Sequence, residues 1–291
     1  MTIEELAELL AIHLWAVLVA VATVSLLLAW LLWHCLQRYG PAVTGWLRNV
    51  IHLARPHARR LPLPDTVLGI WGMMRRLGGQ ALVSIAVAVT ASIAFIEIAD
   101  EIAADDDLGR FDAALSDALS RHASDAQLRI FAILTDLGDK RFLMAIAVAV
   151  ALALMIRKRW FVAAAWVLAT AGGGLLNLAL KALFERSRPE RWHAFASADG
   201  WSFPSGHSSG SFIVYGLLGY LVMLYLPRRS HLPMAALLML LIVCVGFSRV
   251  VLQVHYFSDV LGGYAFAASW VAAWIAGLEA FRRRRQNALP G

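Results

Sequence analysis

The chain has 291 residues, is 60% hydrophobic and carries a formal net charge of +6. A soluble protein of this length needs a more polar exterior, and no basic stripe is interleaved with aromatics, which argues against nucleic-acid binding. What remains is an all-α integral membrane protein: several apolar runs approach or exceed the roughly 18 residues read as a membrane span, and a β-barrel would show weaker alternating segments of about 10.

The runs predict seven spans, at roughly 11–33, 80–99, 142–157, 161–183, 208–226, 233–252 and 258–280. The opening MTIEELAELL lacks the basic region of a secretory signal, so the first run reads as a retained anchor. Residues 1–34 then form an N-terminal transmembrane anchor, 35–79 a cytoplasmic amphipathic linker, 80–281 a six-span core and 282–291 a basic tail. In the linker, Val43, Trp46, Leu47, Val50 and Ile51 recur at helical spacing, which fits an interfacial helix or a plain connecting one. Between the second and third spans, Leu108, Phe111, Leu115 and Leu119 predict one or two external helices. Their carboxylates Asp112, Asp117 and Asp125 read as a solvated face. Gly172–Gly174 and Gly262–Gly263 read as small residues that let helices pack closely. Cys35 and Cys244, in or beside apolar segments, read as structural thiols.

Basic residues orient the chain. One alternating set of loops holds 16 of the 26 Lys and Arg, ending in Arg282–Arg285. By the positive-inside rule those loops are cytoplasmic and the N-terminus is outside, and the compact Ala- and Arg-rich chain points to a bacterial inner membrane.

Three clusters fall on the outer side: Lys181 with Arg188–Pro189, then Pro204-Ser205-Gly206-His207, then Ser248-Arg249 with His255 and Asp259. Charge beside a bilayer is costly and is kept mainly where it pairs or works. Lys181, Arg188 and Arg249 suit one tetrahedral dianion. The turn at 204–207 opens a helix whose free N–H groups attract an anion; Gly206 permits close approach and Ser205 offers a hydroxyl. His255 and Asp259, four apart, suit a histidine nucleophile oriented by a carboxylate. His207 then suits the general acid for the leaving oxygen. No acidic cluster suggests a metal pair, and no cofactor or metal is expected.

The conjunction Lys-x6-Arg-Pro, Pro-Ser-Gly-His and Ser-Arg-x5-His-x3-Asp resembles the type-2 phosphatidic acid phosphatase superfamily, over about residues 80–280 with no departure at a motif position. Trp201-Ser202-Phe203, Val254-His255-Tyr256 and Thr135-Asp136-Leu137-Gly138 are similar to its flanking segments. The resemblance implies a metal-independent phosphohydrolase with a phosphohistidine intermediate, His255 attacking, Asp259 orienting it, His207 as acid, and Lys181, Arg188 and Arg249 holding the phosphate or a vanadate-like anion. Undecaprenyl pyrophosphate, phosphatidylglycerol phosphate and phosphatidic acid are the candidate lipid substrates. A lipid phosphotransferase using the same histidine and a non-catalytic lipid-binding protein are the alternatives. Vanadium haloperoxidases share the motifs, but they are soluble.

Overall fold

Apolar helices dominate the computed structural model, which describes residues 1–27, 30–31, 34, 79–103, 106–189, 195–196 and 198–288. In chain order the helices are α1 (Ile3–Ile12), α2 (Leu14–Leu27), α3 (Gly79–Ala103), α4 (Asp107–His122) and α5 (Asp125–Thr135). There follow α6 (Lys140–Ile156), α7 (Trp160–Phe184), α8 (Gly206–Tyr225), α9 (His231–Val251) and α10 (Phe257–Ala288). The predicted interfacial helix at 43–51 and Cys35 lie outside the described residues.

Among the described residues, five segments are long and apolar enough to cross a membrane: Ala81–Ile102, Trp160–Phe184, Gly206–Tyr225, Arg228–Val251 and Phe257–Arg283. The seven-span expectation differs from this at two places. Helix α6 is apolar but has 17 residues, slightly short of the usual span. The first predicted run is not one straight helix: α1 and α2 meet at an angle of 93° and count as a sixth span only if taken together. Helix α1 starts with a capping box in which Thr2 and Glu5 satisfy each other's backbone N–H groups. It buries Ala7 and Ala11 and packs on α4. Glu8 meets Arg121 at 2.6 Å and His122 at 2.7 Å on the same helix.

The external segment forms two helices, α4 and α5. Leu115 and Leu119 are buried as their spacing predicts, and Ser124 caps α5 through a box with Gln127. Together with α1 and residues 251–254 they enclose a small apolar core around Leu128, Phe131 and Leu252. This cap sits over one end of the bundle. A larger core runs through α6–α10, centred on Trp166, Ile213, Leu217 and Phe266. Helix α3 lies against α10, and only 6% of its span is buried within the protein. The rest of its apolar surface suits lipid.

Glycines set two of the closest approaches. A Cβ on Gly262 would stand 2.3 Å from Phe203 Cε2, and one on Gly263 would stand 2.9 Å from the Ser205 carbonyl oxygen. Both glycines therefore let the segment before α8 press onto α10. Phe203 completes that contact by stacking on Phe95 and meeting Phe184 edge-on.

Candidate active site

Four span ends meet beneath the cap: the last turns of α7 and α9 and the first turns of α8 and α10. They bring Lys181, His207, Arg249 and Asp259 to the same end, and the turn at 252–256 adds His255. That turn is held from above. Gln253, in the left-handed region at φ 52°, donates to the Ser116 carbonyl of α4 at 2.6 Å.

The histidine–carboxylate pair is completely desolvated. His255 Nδ1 faces Asp259 Oδ2 at 3.3 Å, and neither side chain is more than 2% exposed. Ser202 donates its hydroxyl to the same Oδ2, and the Tyr256 N–H donates to it at 2.8 Å. Arg188 lies 3.1 Å from His255 Nε2. A guanidinium only donates, so Nε2 carries the lone pair and the proton sits on Nδ1, facing Asp259. Burial lowers the His255 pKa to about 3, and the charges of Arg249 and Arg188 push the same way against the pull of Asp259. The ring is therefore neutral near pH 7, with an unprotonated nitrogen aimed at Arg188.

Lys181 and Arg188 are held by carbonyls, and Arg249 by a hydroxyl. Lys181 donates to the Trp201 and Ser202 carbonyls at 2.6 and 3.0 Å. Arg188 donates to the carbonyls of Val254, Gly200, Asp199 and Trp201 between 2.6 and 3.1 Å. Arg249 is 3% exposed, and its only described polar partner is the Thr135 hydroxyl at 2.7 Å; its Nε has none among the described residues. Lys181, Arg188 and Arg249 are close enough to repel one another. An anion among them relieves that repulsion. His207 is half-buried within electrostatic reach of all three and of His255. Its ring packs over Gly138, where a Cβ would stand 3.3 Å from His207 Cδ2. This gives the Thr135–Gly138 segment a physical purpose: its hydroxyl holds Arg249, and its glycine makes room chiefly for Val245, 2.4 Å from a built Cβ, with His207 beside it.

Ser205 takes a different place from the one expected. It is fully buried as the N-cap of α8, and its oxygen accepts from the Ser208 N–H at 3.4 Å and the Ser208 hydroxyl at 2.9 Å. Its own N–H donates to the Asp259 carbonyl at 2.9 Å. Ser205 thereby ties the start of α8 to the start of α10. Gly206 begins the helix beside Lys181, with room for a Cβ at 3.8 Å from Lys181 Cε.

Asp112 overturns the expectation of a solvated carboxylate. It is 2% exposed and accepts from the Ser258 N–H at 3.0 Å, from the Ser258 hydroxyl, and from Arg186 Nη2 at 2.9 Å. Burial raises its pKa, opposed by these hydrogen bonds. Asp117 does behave as read, pairing with Arg121 on the half-exposed face of α4. Arg186 is the residue sequence reasoning passed over. Its Nη1 reaches Asp259 Oδ1 and Ser258 Oγ, both at 2.7 Å, and its guanidinium lies 4.4 Å from the centre of the Tyr256 ring. Burial opposes its charge, but Asp259 and Asp112 outweigh that and raise its pKa. The available signal was a second arginine two residues before Arg188 in a membrane-flanking segment. Among the described residues, no three His, Cys, Asp or Glu side chains converge as a metal cage.

Fold and arrangement define a multi-pass helical membrane protein with a buried histidine–aspartate pair facing three cations at one end of its bundle. Residues 160–283 match the family model described as the PAP2 superfamily. Phosphatidylglycerophosphatase B of Bacillus subtilis (strain 168) is 34% identical over 134 residues, which is 45% of this chain and 66% of that protein, just under two thirds of its length. A crystal structure of the first transmembrane PAP2 type phosphatidylglycerolphosphate phosphatase from Bacillus subtilis aligns with a TM-score of 0.59 and 27% identity, covering 70% of this chain and 99% of the other. Over residues 160–283 the chain is therefore similar to the PAP2 superfamily, and its fold is similar to that of a PAP2 type phosphatase.

Proposed function

We propose that the protein is a metal-independent lipid phosphatase that works through a phosphohistidine. The observation that carries this reading is the placement of His255, with Nε2 3.1 Å from Arg188 while Nδ1 faces Asp259. In the first step Nε2 attacks phosphorus, the P–O bond to the lipid breaks, and His207 protonates the leaving oxygen. Asp259 stabilises the positive charge that develops on the ring. In the second step His207 takes a proton from water, water attacks the phosphohistidine, and His255 leaves as the neutral ring. Lys181, Arg188, Arg249 and the N–H groups opening α8 at Gly206 and His207 stabilise the phosphoryl oxygens throughout. Ser205 serves the site by capping that helix.

The substrate reading is a lipid phosphate or pyrophosphate whose tails stay in the bilayer. The names of the two relatives favour phosphatidylglycerol phosphate over undecaprenyl pyrophosphate and phosphatidic acid. The charge asymmetry of the loops supports an orientation with the site outside and the C-terminus cytoplasmic, and the compact Ala- and Arg-rich chain supports a bacterial inner membrane. The division into an anchor (1–34), a linker (35–79), a core (80–281) and a basic tail (282–291) is proposed with it, α1 lying in the cap.

The test is phosphate release from the three lipids by purified protein and by His255→Ala. We expect phosphatidylglycerol phosphate to be the best substrate and the variant to lose at least about 10⁴-fold in kcat while inserting normally. Release by the variant at near the parent rate would remove the mechanism.

A further inference from the structure

We propose that the end of the bundle opposite the active site binds one anionic phospholipid, its head group on Lys158 and Arg159 and an acyl chain in the groove between α7 and α10. Two adjoining cavities form the site, of 480 Å³ and 450 Å³. They share Phe161, Leu278 and Phe281, and the two phenylalanine rings stack at 4.2 Å where the cavities join.

The first cavity is cationic and aromatic. Lys158, Arg159 and Arg282 line it with Tyr220 and Tyr225, and no carboxylate is among its lining residues. Arg282 is matched by Glu279 just behind the wall, at 3.0 Å, where Tyr220 also donates at 2.6 Å. That leaves Lys158 and Arg159 for an external anion. The Arg159 guanidinium lies 5.7 Å from the Tyr225 ring centre, which steadies it. The second cavity is an apolar groove, with Leu168, Ala273, Trp274 and Gly277 in its walls. A Cβ at Gly277 would meet nothing within 4 Å, so space remains open along the helix at that point.

Position selects the occupant. Both walls belong to segments long and apolar enough to span a bilayer, so the groove faces hydrocarbon. The cations stand at the span ends, where head groups lie. Apolar volume continuous with two cations at the membrane boundary matches one phospholipid with a negative head. From Trp160, just past Lys158 and Arg159, to Lys181 the helix rises about 32 Å, so this lipid sits in the leaflet opposite the active site and is not the molecule being hydrolysed.

The full-length protein in detergent would be given phosphatidylglycerol or phosphatidylcholine of identical chains, and bound lipid counted by native mass spectrometry. One phosphatidylglycerol should be retained in preference to phosphatidylcholine. The pair Lys158→Gln and Arg159→Gln should weaken its retention by roughly thirtyfold, from about 1 kcal/mol for each cation removed. Gly277→Phe should fill the groove and abolish retention. Equal retention of the two lipids, or phosphatidylglycerol retention unchanged by the charge variant, would overturn the proposal. A bound lipid that is displaced by vanadate and indifferent to Gly277→Phe would belong to the active site, with the same consequence. If Gly277→Phe fails to fold, the charge variant decides alone.

Discussion

Replacing Arg186 by Met tests whether the site is held from the cap. The guanidinium joins Asp259 Oδ1 at 2.7 Å to Asp112 Oδ2 at 2.9 Å. Its side chain is 14% exposed, and those of the two carboxylates 0% and 1%. Removing one partner of a buried ion pair costs about 3–5 kcal/mol, because the other is left charged and dry. Here two carboxylates lose the same cation, but each keeps hydrogen bonds: Asp259 from Ser202 and the Tyr256 N–H, Asp112 from Ser258. The lower end of the range, about 3 kcal/mol, is therefore expected in stability. Asp259 also loses the contact that aims its second oxygen, so kcat should fall by about 10²-fold with KM changed much less. Combining Arg186→Met with Asp112→Asn removes one of the stranded charges, so stability should partly return while kcat stays low. Thermal unfolding and phosphate-release kinetics on the folded fraction separate the two effects. A parent-like kcat in Arg186→Met, or recovery of kcat in the double variant, would refute a positioning role for Arg186.

Three further outcomes are expected. The His255 ring should remain neutral, with its proton on Nδ1, down to about pH 5 in ¹⁵N NMR of labelled histidine; an imidazolium midpoint near 6.5 would contradict the burial described. Its folded-state pKa, about 3, lies below the unfolded value of about 6.5. The stability it contributes is therefore full above the unfolded value and is lost as pH falls from there towards 3. His207→Ala should slow turnover by about 10²–10⁴-fold, less for substrates with good leaving groups, and an equal loss for good and poor leaving groups would remove its role as acid. Activity should survive EDTA and be blocked by vanadate, whereas loss in chelator restored by Mg²⁺ would require a metal mechanism.

Helical class, most of the spans and the three clusters were legible in the amino-acid order, because each is a local property. Apolar runs announce spans through transfer free energy alone. The spacing of His255 and Asp259 announces a pair because a turn leading into a helix brings residues four apart together. Of the glycines read as close-packing positions, 172–173 and 262–263 are such, a Cβ on Gly173 standing 2.6 Å from Ile213 Cδ1, whereas a Cβ on Gly174 would meet nothing within 4 Å. What tertiary structure alone decided are partnerships between residues far apart in the chain. Asp112 sits on an amphipathic helix and looked solvated, yet its cation is Arg186, 74 positions on. Ser202 and Ser258 are ordinary serines until folding places them on Asp259 and Asp112. The bend after Ile12 follows the same logic: α1 buries Ala7 and Ala11 against α4, a surface about 100 residues away in sequence. Periodicity reports which face of a helix is apolar. It carries no information about which distant segment will cover that face, and that choice determined where each charge in the site finds its counterpart.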